Sequence, residues 1–318
     1  MKKLIKNSIL FLLPFLVGTA GMFFIPVSKN FSYHFIRGEC NNKAAWMYHR
    51  MFEDKHNTDI VFSGASQTGS AIDDKYISEK LSAATGTEIS AVNFGFCRRG
   101  RDIQYVMLKD LFAQKQPKIL VIEVAEDEPK KSHPVFPYLA ESTDVFGSFV
   151  WFNQRFFPGL WKATAVRFEF VKSTLLGEPM SVSESRPSRF GYLSSEQIVS
   201  PGMLNENSEN WQKRLGKTKP RLLRKSELNY SKHYIEKIVE LARKNQCKIL
   251  FLYLPESGSN LKHPLLMDYY QQFSEVIILP DEIVKNDSNW KDATHFNDSG
   301  ALKTSEYILS FLSPCLSE

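Results

Sequence analysis

The chain of 318 residues is 43% hydrophobic and 13% aromatic. This composition excludes disorder over most of the chain, and the length allows one large domain with an insertion or two small domains. The net charge of +5 arises largely from the first 29 residues, which hold four lysines and no acid. The nearly neutral remainder gives no reason to expect nucleic acid as a partner.

The first element in the chain is an apolar segment behind Lys2, Lys3 and Lys6. Residues 9–27 are long enough to cross a bilayer as a helix. Residues 1–29 are therefore predicted to be a membrane anchor, with a cleaved signal segment or a buried core helix as alternatives. In the first two alternatives the rest of the chain is exported, either anchored in the inner membrane with its domain on the periplasmic side or periplasmic after cleavage.

After a linker with a short helix at 30–57, short apolar runs alternate with helical patterns. This alternation predicts the α/β class, with a three-layer α/β/α domain over 58–318 around a five-stranded parallel sheet. A partly helical insertion at about 128–228 interrupts the alternation and is expected over the carboxyl edge of the sheet, where ligands gather. The five strands are predicted at 59–63, 88–94, 118–124, 248–254 and 275–279.

Ser66 stands in Gly64-Ala65-Ser66, directly after the first predicted strand. Gly64 permits a sharp turn there, and the following helix would direct backbone N–H groups towards the serine hydroxyl. A serine placed in this way is a candidate nucleophile. The alternative is a serine that only caps the helix.

Asp292 and His295 stand three residues apart, just before the last predicted helix. In a tight loop this spacing can hold the carboxylate against one imidazole nitrogen and leave the other nitrogen free to take a proton from Ser66. The alternative is a loop histidine beside a solvated acid.

Asn93 and Gly95 end the second strand, where Gly95 could donate its N–H to an oxyanion or could simply end the strand.

These motifs resemble those of the SGNH (GDSL-like) hydrolases, specifically their exported, membrane-anchored relatives in bacterial cell envelopes. The resemblance covers about residues 58–127 and 229–313. It implies Ser66 as nucleophile, Asp292 and His295 as the rest of the triad, and the N–H groups of Ser66 and Gly95 as oxyanion donors. An α/β-hydrolase is disfavoured because Thr68 stands where its Gly-x-Ser-x-Gly motif has the second glycine.

The third motif of that family departs from the pattern. Its usual asparagine, a further oxyanion donor, is replaced here by the acidic segment from Glu123 to Glu128. Ionised carboxylates cannot donate hydrogen bonds, so Asn93 or a residue of the insertion would have to substitute, or the enzyme is slow, or the chain is inactive. Residues 126–128 are expected in a solvated loop.

Four further residues are weaker candidates for binding an anionic substrate: Arg98, Arg99, Arg101 and His133. The alternatives are a solvated basic turn and a structural loop histidine. No cofactor and no metal are predicted, and the oligomeric state is left open.

The resulting hypothesis is a serine esterase or O-acyltransferase that acts on an acylated envelope glycan or a small ester. The alternative is an inactive protein of the same fold that binds a glycan or a partner acyltransferase.

Overall fold

Five parallel strands form one sheet in the order β2-β1-β3-β4-β5. The computed structural model describes residues 2–38, 43–151, 153–177, 188–215 and 228–316. The predicted α/β class and five-stranded parallel sheet are confirmed. The strands are β1 (Ile60–Ser63), β2 (Ala91–Asn93), β3 (Ile119–Val124), β4 (Lys248–Tyr253) and β5 (Val276–Ile278).

Helices connect the strands and cover both faces of the sheet. The first seven are α1 (Lys2–Met22), α2 (Lys29–Phe35), α3 (Lys43–Tyr48), α4 (Ser66–Ala71), α5 (Asp74–Thr85), α6 (Arg101–Phe112) and α7 (Phe136–Leu139). The others described are α8 (Ser142–Val150), α9 (Phe156–Leu176), α10 (Pro201–Leu215), α11 (Asn229–Lys244), α12 (Met267–Gln271), α13 (Asp281–Val284) and α14 (Asp298–Leu316).

Successive side chains of each strand point to opposite faces of the sheet, so alternate residues pack into two separate cores. On one face Leu120 and Phe251 join a core with α3, α6 and α11. On the other face Val121 and Leu252 join a core with α5 and α14. Burial on both faces explains why β3 begins with four consecutive apolar residues, 119–122.

The strand order places a topological switch point between β1 and β3. The chain leaves β1 towards β2 on one side and returns to form β3 on the other side. Connections that diverge in this way leave a crevice at the carboxyl ends of the two strands, where α/β proteins bind ligands. Ser66 follows β1 at this position.

The N-terminal helix α1 carries exposed apolar side chains, among them Phe11 and Val17. Within the described ranges, none of the helices combines the length and the apolarity needed to cross a membrane. The membrane anchor predicted for residues 1–29 therefore receives no support from the structure.

The sequence leaves open whether Cys40 and Cys315, near the two ends of the chain, form a disulfide or remain free thiols. Cys97 is disulfide-bonded, whereas Cys247 and Cys315 are free thiols. The free thiol at Cys315 excludes that pair, and Cys40 itself lies outside the described residues.

The insertion contributes helices α7 to α10 and an extended strap, residues 188–200; its residues 152, 178–187 and 216–227 lie outside the described ranges. The Leu193 N–H in the strap donates to the Gly69 carbonyl of α4 at 2.8 Å, and the Ser195 N–H donates to Asp298 Oδ1 at 2.7 Å. The strap thus joins the helix that begins with Ser66 to the first residue of α14.

Candidate active site

The turn that presents Ser66 depends on a close approach at Gly64. A Cβ atom at residue 64 would lie 1.9 Å from Thr68 Oγ1 and 2.5 Å from Glu123 Oε2, so only glycine fits. Ser66 then begins α4 and is half-buried. The glycine predicted to permit a sharp turn is therefore required by a neighbouring carboxylate.

That carboxylate belongs to Glu123 of β3, a residue whose role the sequence did not reveal. Glu123 Oε2 accepts the Ala65 N–H at 2.7 Å, the Thr68 N–H at 3.2 Å and the Thr68 hydroxyl at 2.5 Å. It is 4% exposed. A buried carboxylate that accepts three hydrogen bonds fixes both sides of the nucleophile turn.

The loop with Asp292 and His295 is closed by local hydrogen bonds. The Lys291 N–H donates to the His295 carbonyl at 2.9 Å, and Trp290 and Phe296 form an isolated antiparallel bridge with ring centroids 4.3 Å apart. Both aromatic side chains are buried in the core. The loop is therefore anchored on either side of the two candidate catalytic residues.

The structure brings the three predicted triad residues together. His295 Nε2 lies 2.8 Å from Ser66 Oγ, and His295 Nδ1 lies 2.9 Å from each carboxylate oxygen of Asp292. Because an ionised carboxylate only accepts, Nδ1 carries the hydrogen and Nε2 accepts from the serine hydroxyl. This is the protonation state in which imidazole can act as a general base towards Ser66.

Asp292 is held ionised by its surroundings. Burial alone would raise its pKa, but hydrogen bonds from the His295 ring and from the Thr294 and His295 backbone N–H groups hold the pKa well below the usual range of an aspartate. The charge is thus available to stabilise an imidazolium during proton transfer.

The residues predicted as further oxyanion donors are occupied elsewhere. Asn93 Nδ2 donates to the carbonyls of Thr68 and Ile72, both at 2.8 Å, and Asn93 Oδ1 accepts the Gly95 N–H at 2.9 Å. Asn93 is fully buried. Neither Asn93 nor Gly95 therefore has a free N–H in this structure, which corrects the expectation for both residues. The Asn93 amide instead holds α4 against the end of β2.

Gln67 offers a donor that sequence reasoning missed. Arg99 donates to Gln67 Oε1, and because a guanidinium only donates, the atom facing Arg99 must be the amide oxygen. Gln67 Nε2 is buried and has no hydrogen-bond partner among the described residues, which is uncommon for a buried amide. An unpartnered donor therefore lies on the residue directly after Ser66.

Arg99 lies among three carboxylates at the carboxyl edge. Its guanidinium is 3.7 Å from Glu123, 3.8 Å from Glu126 and 3.5 Å from Glu256. Burial raises the pKa of Glu126, and this effect outweighs its hydrogen bond from the Glu256 N–H and the attraction of Arg99. Arg99 offsets negative charge that would otherwise oppose an anionic transition state near Ser66.

Two of the other predicted substrate-binding residues are structural. Arg101 forms a buried bidentate pair with Glu128, and His133 Nε2 lies 2.7 Å from the Cys97 carbonyl while its Nδ1 accepts the Val135 N–H. The solvated loop expected at 126–128 is also wrong for Glu126 and Glu128, which are both buried.

A cavity of about 570 Å³ adjoins the loop of the triad acid and base at Trp290, and its lining does not include Ser66, Asp292 or His295. Its lining includes Tyr253, Glu256, Ser257 and Trp290. Ser257 is attached to this loop, since its hydroxyl donates to the Ala293 carbonyl at 2.9 Å. The volume suits a small ligand such as a sugar unit or a short ester.

A serine hydroxyl, an imidazole and a carboxylate bonded in series form a Ser-His-Asp triad, an arrangement that defines a class of nucleophilic sites on several unrelated folds. The chain itself matches no family model, no curated protein and no solved structure. The resemblance to SGNH hydrolases stays a prediction from the motifs. Among the described residues, no cluster of His, Cys, Asp and Glu suited to a metal ion is present.

Proposed function

We propose that this chain is a serine esterase or O-acyltransferase. The observation that carries the proposal is the 2.8 Å contact between Ser66 Oγ and His295 Nε2, with Asp292 bonded to the opposite ring nitrogen. A serine that only caps a helix, or a histidine in a solvated loop, would not require hydrogen bonds that link serine, histidine and aspartate. The contact between Ser66 and His295 joins residues 229 positions apart in the chain, so local sequence alone does not account for it.

In the proposed reaction Ser66 Oγ attacks the carbonyl carbon of an ester while His295 Nε2 takes the hydroxyl proton. The ester C–O bond then breaks, and the imidazolium returns that proton to the leaving alkoxide. Water or a sugar hydroxyl next attacks the acyl-serine and gives its proton to His295. The bond from the acyl group to Ser66 breaks, and the serine is protonated again.

The proposed substrate is an acylated envelope glycan or a small ester. Two features support this choice: the cavity beside the triad loop has the volume of a sugar-sized ligand, and the apolar segment behind three lysines is typical of exported chains. The disulfide at Cys97 is a further support for an oxidising compartment outside the cytoplasm.

Labelling by a fluorophosphonate probe tests the catalytic proposal. The full chain is expected to become covalently labelled at Ser66, because the probe requires a serine activated by a base. The Ser66→Ala variant should lose the label entirely, while a Ser70→Ala control, changed one turn later in α4, should keep it. An absence of labelling in the folded wild-type protein, together with no turnover of acetyl esters, would contradict the proposal.

We assign the oxyanion to the Ser66 N–H and Gln67 Nε2. The Gln67→Ala variant is expected to lower kcat about 10²- to 10³-fold with little change in KM, as loss of one oxyanion donor does. The Gln67→Glu variant keeps an acceptor for Arg99 but removes the amide donor, so it should lose a similar factor. Steady-state kinetics on an acetyl ester measures both effects.

Gln104→Ala is the matched control for this assignment. Gln104 is another buried glutamine whose Oε1 accepts from an arginine, here Arg101 at 2.8 Å, but it does not adjoin Ser66 in the chain. Its kcat should stay within about threefold of wild type. Wild-type kcat in Gln67→Ala would remove Gln67 from the oxyanion site.

A catalytically inactive binding protein is the second candidate. It is favoured by the occupied donors of Asn93 and Gly95 and by the three carboxylates near Arg99. This candidate predicts glycan binding that is equal in wild type and Ser66→Ala, without labelling of either.

A further inference from the structure

Helix α9 presents a row of apolar side chains to solvent. Phe157, Trp161, Phe168 and Leu175 are 73%, 69%, 57% and 79% exposed. Their spacing of four, seven and seven residues places all four on one face of an α-helix, since seven residues complete nearly two turns. We call these four residues the apolar row. Four large exposed apolar side chains on one helix face mark an interaction surface.

A cationic cavity lies beside the start of the same helix. It has a volume of about 330 Å³, and Arg98, Arg155 and Lys162 line it together with His133 and Pro158. Within the part of the chain that the structure describes, no carboxylate lines this cavity. Arg155 Nη1 and Lys162 Nζ donate to backbone carbonyls, both at 3.2 Å, so no acid in the described ranges compensates these two positive charges through a hydrogen bond.

The effect of these charges is visible on their neighbour. His133 has a pKa lowered to about 4, first by burial and then by the charges of Arg98, Arg155 and Lys162, against the opposing effect of the Cys97 carbonyl. The imidazole therefore stays neutral and adds no charge of its own at neutral pH. Three cations around one cavity, without an acid, are a suitable site for a phosphate group.

The two features lie on adjacent parts of one helix. Trp161 of the apolar row directly precedes Lys162 of the cavity, and Phe157 precedes Pro158. An apolar face next to cations matches the boundary between the acyl chains and the headgroups of a bilayer, where aromatic side chains and Lys or Arg are both favourable. Helix α1, itself apolar and exposed at Phe11, packs against α9.

A second copy of the chain fits this surface poorly. A two-fold contact through the apolar row would bring the same patch of both copies together, and with it two sets of uncompensated cations. Like charges across an interface oppose association. An anionic bilayer supplies the opposite charge and an apolar phase together.

We propose that α9 of the insertion binds the surface of an anionic phospholipid bilayer, with the apolar row in the acyl-chain boundary and a lipid phosphate in the cationic cavity. The proposal does not depend on the triad, because none of these residues belongs to it. Ser66→Ala protein should bind vesicles as well as wild type does.

Co-sedimentation of the full chain with vesicles tests the proposal. Binding to phosphatidylcholine vesicles that contain phosphatidylglycerol should be stronger than binding to phosphatidylcholine alone. The variant R98Q/R155Q/K162Q should lose on the order of 100-fold in affinity for the anionic vesicles, from about 1 kcal/mol for each cation near an anionic surface. The control K75Q/K80Q/K118Q makes the same charge change at exposed lysines distant from the cavity in the chain, and it should lose no more than a few-fold.

Because α1 is itself apolar, a second readout reports on the apolar row alone. Brominated acyl chains should quench tryptophan fluorescence of the wild type upon binding. The W161F variant keeps the apolar surface, so it should still bind while a measurable part of the quenching disappears. Quenching that is equal in both proteins would overturn insertion of the apolar row.

Two further outcomes would overturn the bilayer as the occupant. In the first, the wild type binds inorganic phosphate in a calorimeter, R98Q/R155Q/K162Q does not, and neither protein binds vesicles. This result would assign the cavity to a free phosphate compound. A dimer in solution that the Phe157→Ser and Phe168→Ser changes dissociate would assign the apolar row to self-association.

Discussion

Asp292→Asn is expected to lower kcat about 10⁴-fold while the chain stays folded. An asparagine amide can donate to His295 Nδ1 and thereby stabilise the tautomer with its hydrogen on Nε2. That nitrogen, 2.8 Å from Ser66 Oγ in the wild type, could then no longer accept the serine proton. Initial rates on an acetyl ester, with fluorophosphonate labelling rates as a second readout, measure the loss.

Asp268→Asn serves as the control for this variant. Asp268 is an exposed acid in α12, so its substitution changes the net charge equally without touching the triad, and activity should stay within about twofold of wild type. If Asp292→Asn retains wild-type labelling rates, the carboxylate does not orient His295, and the triad mechanism fails at this residue.

Glu123→Ala is expected to destabilise the chain by about 3 kcal/mol or more. The substitution leaves three buried donors of the nucleophile turn without an acceptor, and each unsatisfied donor costs about 1–3 kcal/mol. It also removes one of the carboxylates around Arg99. Urea unfolding followed by circular dichroism measures the free energy of unfolding, and labelling of Ser66 measures the turn itself.

Two further variants serve as controls for Glu123→Ala. Glu123→Gln keeps an oxygen that can face Ala65 and Thr68, so it should lose less stability than Glu123→Ala. Glu126→Ala removes a neighbouring buried carboxylate whose contact with the turn is only indirect, and its labelling rate should change little. Equal stability of Glu123→Ala and wild type would show that Glu123 does not hold the turn.

The sheet and the triad were predictable because their signals are short in range. Apolar runs gave all five strands, and a Gly-x-Ser after the first strand with an Asp-x-x-His before the last helix gave the three reacting groups. Parallel strand order then forces residues at the carboxyl ends towards one edge. The pattern therefore contained the main geometry of the site.

The polar support of the site was not predictable, since its partners are distant in the chain. From the sequence, Glu123 is predicted to lie in an acidic segment that would repel an oxyanion. In the structure its carboxylate accepts hydrogen bonds from backbone N–H groups 55 to 58 residues earlier in the chain. The role of Asn93 is unpredictable for the same reason. Only the folded chain shows that the carbonyls of Thr68 and Ile72 accept its two amide hydrogens. The strap at 188–200 has no periodic pattern and acquires its path from Gly69 and Asp298.

The separation of 229 residues between Ser66 and His295 has a consequence for the order of assembly. The first three strands can pair before the C-terminal segment is present, but the base reaches the nucleophile only when β5 and α14 have docked and the strap has tied α4 to Asp298. Contacts between residues so distant in the chain are expected late in folding, because closing a long loop costs conformational entropy that other contacts must offset. In a chain whose C-terminal segment has not yet docked, the Ser66 hydroxyl would thus lack its proton acceptor until the fold is complete.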